Sequence, residues 1–244
     1  MKIVGIIPSR FASSRFPGKP LIDLAGKSMI RRVYEQATKC DSLDEVIVAT
    51  DDDRIYEEVL SFGGIAMMTS ADHKNGTERC AEVAAKIEAD YVVNIQGDEP
   101  FIKPKIRKVC DILDGNTELG TLIKEIKDPE MLELPNIMKV ITNVNNEAIY
   151  FSRTAIPYLR DVPRNIWLAH HTYYKHIGIY AYRKDILLDI VKLPASSLEV
   201  AESLEQLRWI ENGHTIKVAE TEDESVGIDV PEDVDRALFA EGLL

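Results

Sequence analysis

Residues 3–20 read IVGIIPSRFASSRFPGKP, and the fold follows from how this stretch divides. Ile3-Val4-Gly5-Ile6-Ile7 is a continuous apolar run of strand length, the pattern of a strand buried on both faces. Pro8 to Pro20 then form a loop with Arg10, Arg15 and Lys19 set among small residues. A buried strand that feeds such a loop places it at the carboxyl edge of an open α/β sheet, where these sheets bind ligands. Two forked guanidinium groups, one ammonium and accessible backbone N–H groups suit a polyphosphate. Pro17-Gly18 and Pro20 stiffen the loop, which holds charges in place and is not needed for mere exposure. The stretch contains neither GxxxxGK[ST] nor GxGxxG, so a solvated loop with ordinary surface charge stands as the alternative reading.

The same rhythm continues outward. Ser28 is a predicted N-cap for a helix through about residue 40, with Met29, Val33 and Ala37 as its apolar stripe. EVIVAT (45–50) is a second buried strand ending at Asp51, Asp52 and Asp53, and the helix after it stops at Gly63-Gly64. Residues 65–69 form a third strand, Thr77 caps a helix to about residue 88, and YVVNIQ (91–96) is a fourth strand. Strands alternating with helices of this length predict a mostly parallel sheet with helices on both faces. From about Gly120 the runs at 137–143, 148–153 and 174–182 succeed one another with less helix between, predicting an antiparallel or inserted portion. Ser196 and Glu199 form a capping box for a helix through Glu211, residues 215–220 are a strand, and Pro231 opens a final helix. The reading is one α/β domain over residues 1–244 with a smaller subregion at about 120–200.

Composition agrees with a globular domain. The 244 residues are 45% hydrophobic and 29% charged, which fits neither a disordered chain nor a membrane protein. MKIVGIIP is too short for a signal h-region before Pro8, Ser9 and Arg10 end it. Cys40, Cys80 and Cys110 are odd in number without CxxC spacing, which argues against a disulfide framework or zinc site and for the cytosol. The triplet Asn75-Gly76-Thr77 fits a glycosylation sequon, which matters only in a secreted chain. A net charge of −12 excludes general affinity for nucleic acid or anionic membrane. Its distribution is uneven: residues 1–32 carry seven bases against Asp23 alone, and residues 201–244 carry twelve acids against three bases. That division predicts one confined anion site rather than a broad basic face.

Other segments carry chemistry. In Asn94-Ile95-Gln96-Gly97-Asp98-Glu99-Pro100, Asp98 leaves the sheet at the same edge, as a Mg²⁺ ligand or as part of a Gly-Asp turn. Asp229 in GIDVP (227–231) is a second such carboxylate or the N-cap of the last helix, and taken alone the cap is the simpler reading. His170, His171 and His176 sit near Tyr173, Tyr174 and Tyr180. The spacing of His176 and Tyr180 puts both on one strand face, fit for a polar ligand or for a half-buried surface. Glu202, Glu205 and Gln206 are spaced to share a helix face, for which solvated polarity is the default.

With these segments assembled, the whole chain resembles the 3-deoxy-manno-octulosonate cytidylyltransferase (CMP-Kdo synthetase) family of Gram-negative bacteria. IPSRFASSRFPGKPL, NGTERCAEV (75–83), VNIQGDEPFI (93–102), YFSRTAIPY (150–158), HIGIYAYR (176–183), LEQLR (204–208) and GIDVPEDV (227–234) follow its order and spacing. Related CMP-sialate synthetases share a loop of this type with a different glycine-rich sequence. Departures are Ser9, where the family usually has Ala, and Ile228 and Val230 beside the second aspartate.

The resemblance implies a Rossmann-like, nucleotide-diphospho-sugar transferase type of fold. It implies transfer of CMP from CTP to the anomeric hydroxyl of Kdo for lipopolysaccharide synthesis, in a cytoplasmic homodimer that uses Mg²⁺. By the same resemblance Arg10, Ser13, Arg15 and Lys19 hold the triphosphate, and Gly76, Thr77 and Arg79 belong to the cytidine pocket. Asp98 and Asp229 resemble the Mg²⁺ ligands. Gln96, Arg153, His176, Tyr180, Glu205 and Gln206 resemble the residues that grip the sugar acid, with Arg153 set against its carboxylate. A related acidic sugar as acceptor (an amino-Kdo or a sialate-like acid) and a non-catalytic nucleotide-binding protein of the same fold stand as alternatives.

Overall fold

In the computed structural model every residue is described except 13–15, 103–104 and 224–226, and the side chain of Lys105. The chain runs β1 (Ile3–Ser9), β2 (Asp23–Leu24), β3 (Lys27–Ser28), α1 (Met29–Ala37), β4 (Glu45–Thr50), α2 (Asp53–Ser61), β5 (Ala66–Met68), α3 (Gly76–Lys86), β6 (Tyr91–Asn94) and α4 (Lys105–Cys110). It continues with β7 (Leu119–Glu125), α5 (Glu130–Glu133), β8 (Lys139–Thr142), β9 (Ala148–Ser152), α6 (Trp167–His170), β10 (Tyr174–Arg183) and α7 (Lys184–Ile190). The last elements are α8 (Ser197–Glu202), α9 (Gln206–Glu211), β11 (Ile216–Glu220) and α10 (Asp233–Ala240).

The expected α/β architecture is present. Among the described residues a nine-stranded sheet has the order β11-β7-β10-β6-β1-β4-β5, with β8 and β9 extending from β10. β1 pairs in parallel with β4 and β6, β4 with β5, and β7 with β11, while β10 runs antiparallel to β6 and β7. Alternation along β1 divides the core. Val4 and Ile6 pack with Cys80, Val83 and Ala84 of α3 on one face, and Ile3 and Ile7 pack with Val33, Ile55 and Val109 on the other. Covering both faces is what the unbroken apolar runs of β1, β4 and β6 require.

Several boundaries move for local reasons. Ser28 caps α1 by accepting the Arg31 N–H, and the helix ends at Ala37, short of residue 40. Asn75, not Thr77, caps α3: its side chain accepts the Glu78 N–H, and Thr77 lies inside the first turn. The expected helix from Ser196 to Glu211 is two helices, because Ser203 at φ 52° turns the chain between α8 and α9. Glu202, Glu205 and Gln206 therefore do not lie on one helix face. Pro231 precedes α10 rather than opening its first turn, since α10 starts at Asp233. β7, α4 and α7 were not among the expected elements. β7 and β10 also sit in the central path of the sheet, and the β8–β9 hairpin branches from β10 beside a small cluster of Ile126, Leu132, Trp167 and Tyr173.

Candidate active site

The carboxyl ends of β1, β4, β5 and β6 lie along one edge, and a cavity of about 250 Å³ opens there. Arg10, Lys19, Gly76, Arg79, Gln96, Asp98 and Asp229 line it. Seven candidates scattered from residue 10 to 229 thus meet at the edge where the basic loop was expected. Ser13 and Arg15 lie outside the described residues.

Two glycines make this convergence sterically feasible. A Cβ on Gly76 would lie 3.1 Å from Pro8 Cγ, and one on Gly97 would lie 3.1 Å from the Pro8 carbonyl oxygen. The missing Cβ lets the first turn of α3 and the loop after β6 close on the end of β1 without pushing Pro8 aside.

Lys19 is the centre of the acidic side. Its Nζ donates to Asp98 Oδ2 at 2.9 Å and to the Ile228 carbonyl at 2.9 Å, and lies 3.6 Å from Asp229 Oδ1. The Ile228 N–H donates in turn to the Asp98 carbonyl at 2.9 Å, so the two acidic segments are stitched together. Beneath them Leu24, Met29, Phe101, Ile228 and Leu238 form a small core that seats both segments on α1 and α10. Asp229 is not the cap of the last helix. Asp233 Oδ2 accepts the N–H groups of Asp229 and Val230, at 2.8 and 3.1 Å, and shapes that turn instead.

The loop before Lys19 is braced from outside. The Gly18 N–H donates to the Phe11 carbonyl at 3.0 Å, and the Arg54 guanidinium lies 3.3 Å from the Phe11 ring centroid. Arg54 is itself paired with Asp52 through two hydrogen bonds, of 2.9 and 2.7 Å. Arg79 is buried, and its guanidinium donates to Thr69 Oγ1 and, at 3.0 Å, to Asp51 Oδ2. It ties together the carboxyl ends of β4 and β5 and brings its charge to the cavity partly balanced.

The remaining candidates lie away from the cavity wall. Gln96 connects the two regions, since its Nε2 donates to the Gly178 carbonyl at 3.0 Å. β10 bulges between Ile177 and Tyr180, and the Thr121 hydroxyl fills the bulge by donating to the Ile179 carbonyl at 2.7 Å. Thr121 Oγ1 then accepts from His176 Nε2 at 2.9 Å. Burial pushes the His176 imidazole down to about 4, so it is neutral with Nδ1 as a bare acceptor. His176 Nδ1 and Tyr180 Oη are buried without a hydrogen-bond partner, in rings 5.2 Å apart. Arg153 commits its guanidinium to chain carbonyls: Nε to Glu202 at 2.6 Å, Nη1 to Pro135 at 2.9 Å and Nη2 to Ser203 at 3.2 Å. Thr77 is buried and hydrogen bonds to Glu205, and Gln206 is buried at the start of α9.

Three cavity residues with polar side chains, Ser9, His73 and Asn75, were not among the site candidates. The Ser9 hydroxyl is buried and unpartnered. His73 Nε2 lies 2.6 Å from Glu82 Oε2, whose carboxyl the Lys86 ammonium and the Ser70 N–H hold down to about 2. Asn75 alone carried a usable signal, a capping residue directly before a helix glycine.

Residues 4–217 match the Cytidylyltransferase family. A 3-deoxy-manno-octulosonate cytidylyltransferase from Parabacteroides distasonis is 55% identical, over 98% of this chain and 97% of its own length. One from Cytophaga hutchinsonii is 56% identical, over 96% and 95%. A solved structure of CMP:2-keto-3-deoxy-manno-octonic acid synthetase complexed with CTP superposes with a TM-score of 0.92 at 43% identity, covering all of both chains.

Proposed function

The chain belongs to the 3-deoxy-manno-octulosonate cytidylyltransferase family, and from that premise we infer that it transfers CMP from CTP to Kdo and releases pyrophosphate. The observation that carries this reading is the convergence of Arg10, Lys19, Gly76, Asp98 and Asp229 on one cavity at the sheet's carboxyl edge.

The anomeric hydroxyl oxygen of Kdo attacks the α-phosphorus of CTP. The bond to the β-phosphate oxygen breaks, pyrophosphate leaves, and the hydroxyl proton is released. Both substrates are anions, so positioning and neutralisation of charge supply most of the rate. Arg10 and Lys19 hold the triphosphate and offset charge growing on the leaving group. Lys19 is pre-set for this by Asp98 and the Ile228 carbonyl, so its ammonium needs little reorganisation. Ser13 and Arg15 join it from the same loop. Gly76, Thr77 and Arg79 form the cytidine side. Gln96, Arg153, His176, Tyr180, Glu205 and Gln206 are assigned to the acceptor side.

Asp98 and Asp229 fit a divalent cation. Both carboxylates converge on the single Lys19 Nζ, and among the described residues no group of three or more His, Cys, Asp or Glu is disposed to hold a metal by itself. Two carboxylates completed by phosphate oxygens and water are the donor set Mg²⁺ prefers. Mg²⁺ held there would neutralise phosphate charge and acidify a nearby hydroxyl.

We place the reaction in the cytoplasm, where its product supplies lipopolysaccharide synthesis; no described helix is long and apolar enough to cross a membrane. The family resemblance supports a homodimer, with the region after residue 120 as its interface. The test is pyrophosphate release with Mg²⁺, CTP and Kdo, run against other nucleoside triphosphates and against amino-Kdo and sialic acid. Release that requires both CTP and Kdo is expected. No release with that pair, or equal release with a sialic acid, overturns the assignment.

A further inference from the structure

Away from the nucleotide cavity, two of the three cysteines meet on one face of the sheet. Cys40 follows α1 and is half-buried; Cys110 ends α4 and is buried. Both pack in the core cluster of Ile3 and Ile7, and the Cys110 thiol is within hydrogen-bond reach of the Cys40 sulfur. Cys80 belongs to the opposite core cluster, with Val4 and Ile6, so the sheet separates it from the pair.

A second cavity, of about 290 Å³, opens beside the pair. Cys40 lines it together with the aliphatic Ile102 and Ile106 and the charged Lys39, Asp41 and Arg107. A small polar solute thus has access to Cys40, while Cys110 stands behind it in the core. The two sulfurs also differ in character. The Cys110 thiol, with the Ser42 N–H and hydroxyl and the Leu43 N–H, hydrogen bonds to the Cys40 sulfur and holds its pKa below the ordinary thiol range. Contact with Cys40 and burial push Cys110 up, and burial pushes Cys80 up. The thiolate is the reactive form, so the accessible sulfur is the nucleophile and the buried one is its partner.

We propose that Cys40 and Cys110 form a peroxide-oxidisable dithiol, with Cys40 the attacking sulfur and Cys110 the resolving one, whose disulfide clasps the part of the chain that builds the nucleotide wall. The Cys40 thiolate attacks one oxygen of hydrogen peroxide. The O–O bond breaks, the sulfur becomes a sulfenic acid, and the other oxygen leaves as hydroxide and takes up the proton that the Cys40 thiol gave up. The Cys110 sulfur, losing its proton, then attacks Cys40; the S–O bond breaks and a second water leaves. Two thiols lose two electrons and two protons, and one peroxide becomes two waters. The new bond closes a loop over residues 41–109, which holds β4, α2, β5, α3 and β6 and with them Gly76, Arg79 and Asp98 of the nucleotide cavity. A cross-link over so long a loop restricts the unfolded chain strongly and stabilises the folded one.

The test treats the full chain with hydrogen peroxide, counts free thiols under denaturing conditions, maps the peptides by mass and follows thermal melts. Wild type is expected to go from three free thiols to one, with a Cys40–Cys110 cross-linked peptide and Cys80 unmodified, and to regain all three with dithiothreitol. The oxidised protein should melt about 5–10 °C higher than the reduced one. Cys110→Ser should stop at a Cys40 sulfenic acid that dimedone traps, and Cys40→Ser should keep both remaining thiols. If either variant misfolds, the wild-type map and melt still decide. Three thiols retained in wild type, sulfenic acid on Cys110 or Cys80 instead of Cys40, a Cys40–Cys40 bond between two copies, or a melting midpoint that does not rise on oxidation would each overturn the proposal.

Discussion

Asp98→Asn separates a catalytic carboxylate from a structural one, because the structure gives different sizes for the two effects. Asparagine keeps the Asp98 carbonyl that accepts the Ile228 N–H, and keeps a side-chain oxygen for Lys19 at the present 2.9 Å. What it removes is one negative charge from a pair whose side chains are 32% and 15% exposed. A partly exposed ion pair of this kind contributes about 1 kcal/mol at most. For a chain of this length that is a melting shift of about 2–4 °C. The effect on turnover is larger. Asp98 is one of two carboxylates converging on Lys19 Nζ, the pair proposed to hold the cation, and removal of one preorganised electrostatic group of this class costs about 3–4 kcal/mol, or two to three decades in kcat. The assay is pyrophosphate release with CTP and Kdo over a Mg²⁺ titration, paired with a thermal melt of the same preparation. The expected result is a hundredfold or greater fall, at about that magnitude, with the Mg²⁺ dependence moved to higher concentration and the fold nearly intact. Turnover within about threefold of wild type at saturating Mg²⁺, a difference under about 1 kcal/mol, would refute the reasoning.

Three further outcomes follow from other contacts. Ser9→Ala removes a buried, unpartnered hydroxyl from the cavity wall; CTP affinity should fall about three- to tenfold with no loss of thermal stability, and unchanged affinity in a titration removes Ser9 from the ligand's contacts. His176 has a folded pKa of about 4 against an ordinary 6.5, so between those values the unfolded chain binds more protons and stability rises with pH. The contribution, about 3 kcal/mol, is present above 6.5 and lost as pH falls toward 4. Its neighbours Thr121, Phe151 and Tyr180 carry no charge there, so denaturant titrations of His176→Gln should lose this part of the slope; an unaltered slope refutes the burial account. Arg153→Lys cannot reproduce a fork that donates to three separate carbonyls and should cost about 1–3 kcal/mol in chemical denaturation, whereas an unchanged midpoint with a raised Kdo KM would show that the guanidinium is not an anchor.

Some of this was legible in the sequence for reasons that are local. β4 and the cap at Ser28 depend on nearest neighbours, and an apolar run or a serine before a helical stripe reports them directly. The basic loop was legible because β1 points it at one edge. The convergence of Lys19 with Asp98 and Asp229 was not, because contacts across 79 and 210 positions leave no periodicity. Asp229 taken alone reads more simply as a cap, and it is Asp233 that accepts the N–H groups of that turn. The break at Ser203 was hidden because the residue in the left-handed region is not glycine. In the sequence Thr77 reads as the cap of α3, whereas Asn75, two positions earlier, takes that place and the Thr77 hydroxyl bonds to Glu205, far along the chain. β7 was missed because Gly120, Thr121 and Lys124 interrupt its apolar run, yet Thr121 is what fills the bulge of β10.

The charges around the cavity supply a last argument for the cation. Among its described lining residues, Arg10, Lys19 and Arg79 face Asp98 and Asp229, and Arg79 is already paired with Asp51. That surplus is small beside a triphosphate and an anionic sugar acid brought together. Adding Lys or Arg would attract both substrates but would compete with Lys19 for Asp98 and Asp229. If Asp98 and Asp229 hold a divalent ion as proposed, those acids would become ligands instead of a liability, and the Lys19 ammonium would be released for the triphosphate. The observed ion pairs of Lys19 thus make a specific demand on the reaction: the stronger the Mg²⁺ occupancy, the less Lys19 is held by Asp98. Lys19→Met should therefore weaken CTP binding in the presence of Mg²⁺ and should not strengthen it in its absence. Tighter metal-free CTP binding by that variant would mean that Lys19 serves only to quench the acids, and the triphosphate role would fall.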